Sequence, residues 1–73
     1  DPNLTGAYFG RGIVYGLLGE YQKTIDDLTK AIVLDPNYAN AYIGRGTAYE
    51  LLDESSKANQ DFAKACEIDP SLC

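Results

Sequence analysis

The sequence predicts an all-α fold of two antiparallel helix-turn-helix repeats in tandem, and three observations predict it. The prolines, Pro2, Pro36 and Pro70, each follow an aspartate and stand 34 residues apart. Residues 5–38, aligned without a gap on residues 39–72, give fifteen identities in 34 positions, where chance gives about two for ordinary composition. Within each copy, apolar side chains recur at spacings of three and four, which is one face of a helix. The chain therefore reads as a single repeat domain, 1–73, with repeat one at 5–38 and repeat two at 39–72.

The elements follow in order. Tyr8, Gly12, Tyr15 and Leu18 share a face and define a helix over 5–18. Gly19 stops it, because glycine accepts the left-handed conformation found just past a helix end. Tyr21, Thr24, Ile25, Leu28, Ala31 and Ile32 define a second helix over 21–34, closed where proline disfavours helix at Asp35. The same pattern gives helices over 39–52 and 55–68. Asn3 and Asn37, just after prolines, are the expected N-caps. Two-residue turns make each pair an antiparallel hairpin. Gly12 with Ala31, and Gly46 with Ala65, are expected to let the paired helices approach closely. Tyr8, Tyr15, Leu28, Tyr42, Tyr49 and Phe62 then fill the core.

Composition narrows the function classes. A chain of 73 residues buries only about 60% of the surface it exposes when unfolded. Two cysteines allow one bridge, and the absence of histidine removes the commonest metal ligand, so no metal or cofactor is expected. A net charge of −5 argues against nucleic acid, which needs a basic face. No apolar run approaches the roughly 18 residues of a membrane span, so membrane insertion is not expected. There is no charged-then-apolar leader, and the chain starts at Asp1 without any methionine. It reads as an excised piece of something longer; its compartment stays open, with the cytoplasm favoured.

Each copy also carries a fixed set of residues. The first has Tyr8-x2-Arg11-Gly12-x2-Tyr15, then Thr24-x3-Leu28, then Pro36; the second has Tyr42-x2-Arg45-Gly46-x2-Tyr49, then Ala58-x3-Phe62, then Pro70. This resembles the tetratricopeptide repeat, whose 34-residue unit reads W-x2-L-G-x2-Y, A-x3-F and P. The departures are Tyr for Trp, Arg for Leu, Thr24 for Ala, Leu28 for the aromatic residue and Asp53 for the usual Gly. Thr24 and Asp53 are expected to cost some stability.

Arg11 and Arg45 stand where the family carries an apolar residue, and each copy has an aspartate sixteen residues on, Asp27 and Asp61. In an antiparallel hairpin turning near residue 19, these positions face each other. Arg11–Asp27 and Arg45–Asp61 ion pairs are therefore expected, with bidentate geometry available. An arginine gripping a ligand carboxylate is the functional alternative.

Catalytic motifs fail on inspection. Without histidine no Ser-His or Cys-His arrangement exists. Gly10-Arg11-Gly12 lacks the third glycine and the preceding strand of a dinucleotide fingerprint. Asp35 and Asn37 begin like a calcium loop, but its sixth position is Asn40 and its twelfth is Gly46. No enzymatic function is expected. For Cys66 the plain expectation is a buried structural thiol, and an intermolecular disulfide is the alternative.

The resemblance implies a right-handed α-α superhelix, of which this is a solenoid fragment, acting as a scaffold for protein or peptide binding. In the family, the first helix of each pair lines a concave groove. By position, that groove would present Gly6, Phe9, Ile13, Gly16 and Leu17, then Asn40, Ile43, Thr47, Glu50 and Leu51. An extended apolar segment or an amphipathic helix would bury this stripe. Chaperone-binding members grip an acidic C-terminal tail with Lys, Asn and Arg. The matching positions, Gly6, Phe9, Gly10, Ile13, Asn40 and Gly44, carry no cation. An apolar or basic partner is expected instead. Self-association is the alternative function, because short repeat arrays want neighbours at their ends. Phe62, Cys66 and Ile68 would form the stacking end face for head-to-tail oligomers or exchanged helices.

Overall fold

The computed structural model describes residues 4–73. It contains four α-helices, α1 (Leu4–Leu17), α2 (Tyr21–Leu34), α3 (Ala39–Leu51) and α4 (Ser55–Ile68), followed by a 3₁₀ turn, Pro70–Leu72. Among the described residues there is no strand. The α1/α2 and α3/α4 pairs form two antiparallel hairpins, and α2 packs on α3 to join them. None of the helices is long and apolar enough to cross a membrane.

Both hairpin turns are built identically. Glu20 N–H donates to Tyr15 O at 2.8 Å and Gly19 N–H to Gly16 O at 3.1 Å, with Gly19 at φ 78°. Glu54 N–H donates to Tyr49 O at 2.9 Å and Asp53 N–H to Glu50 O at 3.0 Å, with Asp53 at φ 61°. This paired hydrogen bonding satisfies carbonyls that a helix end leaves free. It also ends α1 and α3 one residue earlier than their hydrophobic spacing implies, so the connections have three residues rather than two.

The N-cap expected at Asn37 does not form. Asn3 lies outside the described residues, and Asn37 donates its own N–H to Asp35 Oδ1 at 3.2 Å. The aspartate side chain shapes the turn, as short polar side chains do beside their own backbone. Asp69 does the same with Ser71 N–H at 3.0 Å, and the two turns match. Thr24 also departs from expectation. Its hydroxyl is buried and donates to Gly12 O at 2.9 Å, so the polar group that replaces alanine is satisfied rather than orphaned.

The core is smaller and more aliphatic than the aromatic pattern implies. Leu28, Ala31, Ala41 and Ala65 have no exposed surface, and Ile25, Ala48 and Ala58 are buried with them. Of the aromatic residues assigned to the core, only Tyr42 is buried; Tyr8, Tyr15, Tyr49 and Phe62 are half-buried. The small helical positions also have other partners than expected. A β-carbon on Gly12 would meet Leu28 Cδ2 at 3.0 Å and Asp27 Cβ at 3.2 Å. One on Gly46 would meet Phe62 Cε1 at 2.8 Å and the Ala58 carbonyl at 3.2 Å. Neither glycine has Ala31 or Ala65 as its nearest neighbour. Cys66 is neither a buried thiol nor an intermolecular link, because it is disulfide-bonded to Cys73 within the chain.

Candidate functional site

Two chemically different clefts flank α1. The first lies between α1 and α3 and is apolar. Ile13, Gly16 and Leu17 of α1 face Gly44, Thr47, Ala48 and Leu51 of α3 across a cavity of about 300 Å³, closed by Tyr21 and Thr24 at the start of α2. Both of its threonine hydroxyls are already engaged: Thr24 Oγ1 donates to Gly12 O, and Thr47 Oγ1 donates to Ile43 O at 2.9 Å. No charged side chain lines it. Leu17 is 84% exposed and Leu51 and Ile13 are also exposed, so apolar surface stands at the rim, open to water. Such a cleft can bury apolar side chains but has no acid, base or nucleophile in position to do chemistry.

The structure divides the residues assigned to the groove. Ile13, Gly16, Leu17, Thr47 and Leu51 come together there. Phe9 does not; its ring packs edge-on against Tyr38, with centroids 5.0 Å apart. Ile43 is half-buried outside the cavity, and Gly6, Asn40 and Glu50 are exposed away from it. Tyr21, Gly44 and Ala48 were not assigned and line it. The signal for Gly44 and Ala48 was present as small residues on the α3 face toward α1, where they leave room between larger side chains.

The second cleft is charged and contains Arg11, Tyr15, Lys23, Asp26, Asp27 and Lys30. Here Arg11 Nε donates to Asp27 Oδ2 at 2.7 Å and Nη2 to Oδ1 at 2.8 Å. The second repeat has the same fork, with Arg45 Nε to Asp61 Oδ2 and Nη2 to Oδ1, both at 2.8 Å. Each guanidinium also lies between two tyrosine rings. Arg11 Cζ is 5.7 Å from the Tyr8 centroid and 5.8 Å from that of Tyr15. Arg45 Cζ is 5.6 Å from Tyr42 and 5.9 Å from Tyr49. The spacing Tyr-x2-Arg-x3-Tyr places all three on one face, and cation–ring attraction accounts for the half-buried tyrosines that the sequence assigned to core.

The environments of the two arginines differ. The Arg11 side chain is 58% exposed and that of Arg45 19%. Arg45 also donates Nη1 to Thr29 Oγ1 of the preceding repeat at 3.2 Å. The hydrogen-bonded fork of Asp27 raises Arg11 above its ordinary pKa, and Arg11 in turn holds the Asp27 carboxyl below the usual carboxylate range. Asp61 raises Arg45 in the same way. These cations are committed to partners within the hairpin. Among the described residues no group of three or more His, Cys, Asp or Glu side chains gathers to hold a metal.

Two tetratricopeptide repeat family models match the chain, one over residues 6–38 and the other over residues 39–72. No curated protein matches it. Among solved structures, the crystal structure of MamA is similar, with 34% sequence identity and a TM-score of 0.91. The match covers 96% of this chain but only 41% of that one, so the chain spans less than half the length of that relative. Tandem 34-residue hairpins, their shared turn geometry and matches over nearly every residue lead to one conclusion: the chain belongs to the tetratricopeptide repeat family.

Proposed function

We propose that this protein binds a peptide or helix of another protein by burying one or two apolar side chains between α1 and α3. Repeats of this family are helical scaffolds for protein interaction and are typically non-catalytic. The single observation that carries the finer reading is the apolar cavity of about 300 Å³ whose rim is Leu17, Ile13 and Leu51. With no cation in the cavity and a net charge of −5, the favoured partner is neutral or basic, not an acidic tail.

Selection from a random twelve-residue peptide library tests this. Enriched peptides are expected to carry bulky apolar residues and few acidic ones, and to lose binding to a Leu17→Asp, Leu51→Asp double variant. Enrichment that survives the double variant would place the interaction elsewhere.

Head-to-tail self-association draws less support. On α4, Asn59 and Ala63 occupy the positions that Ile25 and Thr29 hold on α2. An α4 face is therefore a poorer copy of the one that joins the two repeats.

A further inference from the structure

The two hairpins repeat one backbone, so a side chain present in one turn and absent from the other is not required by the fold. The turns into α2 and α4 close with the same hydrogen bonds, from Glu20 N–H to Tyr15 O and from Glu54 N–H to Tyr49 O. Each also holds one ion pair, Lys23–Glu20 at 3.3 Å and Lys57–Glu54 at 3.2 Å. Two positions break the match: Tyr21 and Asp26 of α2 stand where α4 has Ser55 and Gln60. The second hairpin folds without them. Tyr21 is a wall shared by the apolar cavity between α1 and α3 and by an open cleft of about 540 Å³ across the hairpin turns. In that cleft Leu52 of the second turn faces Glu20, Gln22, Lys23 and Asp26 of the first. Lys23 is occupied by Glu20 and by the Tyr15 ring, 5.4 Å away. Asp26 is exposed, and its one hydrogen-bond partner among the described residues is the neutral Gln22 Nε2, at 3.2 Å. Tyr8, Tyr15, Tyr42 and Tyr49 each hold an arginine of this chain near the ring, whereas among the described residues Tyr21 holds no cation. A ring and a carboxylate, both without a cation, thus border one cleft.

We infer, on the reading of the neighbouring cavity as a peptide site, that this cleft binds a lysine or arginine of the same peptide. The occupant is one segment of another protein, with an apolar residue in the cavity and a cation beyond Tyr21. One aromatic side chain separates the two subsites and an extended chain advances about 3.3 Å per residue, so the cation stands within about four residues of the apolar anchor. It gains attraction to the Tyr21 ring and pairs with Asp26, in a cleft whose own lysine is already paired. An acidic residue at that place meets Asp26 and Glu20 and is rejected.

Peptides selected from the twelve-residue random library and resynthesised with a fluorophore are the probes, titrated against the intact protein and followed by anisotropy. A Lys or Arg close to the apolar anchor is expected to recur, and its replacement by glutamine to weaken binding at least fivefold. Asp26→Asn is expected to weaken the parent peptide to the same extent and to leave the glutamine peptide unchanged, as for two groups that touch. Glu67→Gln, which removes an equal charge from the exposed end of α4, is expected to change neither. Asp26→Asn keeps the fold, because the residue is exposed and the substitution preserves its shape. Peptides that need Leu17 and Leu51 but show no preference for a cation, or are indifferent to Asp26→Asn, overturn the cationic subsite and leave the apolar site standing. Equal losses in Asp26→Asn and Glu67→Gln also overturn it, by assigning the preference to the net charge of −5. A selection that enriches no peptide, or only peptides indifferent to the Leu17→Asp, Leu51→Asp double variant, overturns both readings. Self-association of the protein alone that Tyr21→Ser abolishes assigns the surface to a second copy and overturns the subsite as well.

Discussion

Leu28 closes the junction between the repeats by occupying the space in which Gly44 would carry a β-carbon, 2.7 Å from its Cδ1. Leu28 cannot retreat, because a β-carbon on Gly12 would meet its Cδ2 at 3.0 Å and the side chain is wholly buried. Gly44→Ala therefore forces overpacking, which costs about 1–3 kcal/mol and outweighs the helix propensity gained. Gly10 holds the same repeat position with nothing around it. Gly10→Ala is expected to stabilise by up to about 1 kcal/mol. Urea denaturation of the two variants should give midpoint shifts of opposite sign.

The two arginine–aspartate forks have the same geometry, but their variants should not behave alike. Asp61→Ala strands Arg45, whose side chain is 19% exposed and keeps only Thr29 as a hydrogen-bond partner. Leaving a buried charge unpaired costs about 3 kcal/mol. Asp27→Ala frees an arginine that is 58% exposed and can turn to water, so its melting temperature should fall by much less. Thermal melts of the two variants check the order, and equal losses would contradict it.

Asp27 also sets a direction in pH. Arg11 depresses its carboxyl pKa in the folded state, while the unfolded chain returns it to about 3.9. The pair's stabilisation is thus fully present above that unfolded value and is lost as pH falls through the lower folded one. Denaturation midpoints measured between about pH 6 and pH 3 should fall more shallowly in Asp27→Asn than in the wild type.

The fold was legible because it is written twice. Two copies with the same Asp-Pro endings and the same helical spacing fix the hairpins, and α2 and α4 span the residues their periodicity implies. The arginine forks were legible for the same reason, since a sixteen-residue separation places both groups at one height in a hairpin. What periodicity does not contain is the face of the neighbouring repeat. Tyr8 and Tyr15 have helical spacing whether they pack inward or lie against Arg11, and the choice depends on the fork. Phe9 carries groove-like spacing but turns to Tyr38, a residue 29 positions away. Gly12 and Gly46 signal close approach without naming the side chain that approaches.

The turn residues Gly19 and Asp53 offer a third comparison. Both sit in the left-handed region, at φ 78° and 61°, and both donate the same closing hydrogen bond. A side chain there costs roughly 1 kcal/mol, less for aspartate than for most residues. Asp53→Gly is expected to raise the melting temperature by a few degrees, and Gly19→Ala to lower it. A loss of stability in Asp53→Gly would show that the aspartate side chain supplies something the turn geometry does not require.

The disulfide between Cys66 and Cys73 makes the last prediction a local one. It closes a separation of seven residues, for which loop closure contributes about 2–3 kcal/mol at most. What it ties to α4 is the exposed turn Pro70–Leu72, whose own bonds are Leu72 N–H to Asp69 O and the Asp69–Ser71 contacts. No buried core residue lies beyond Ala65, so reduction releases the turn without opening the hairpins. Hydrogen exchange on the protein before and after treatment with a small dithiol should show lost protection confined to residues 69–73 and the last turn of α4. The amides of α2 and α3 should remain unchanged. Loss of protection spreading to Leu28 or Ala41 would mean that the disulfide supports the whole stack and not only its end.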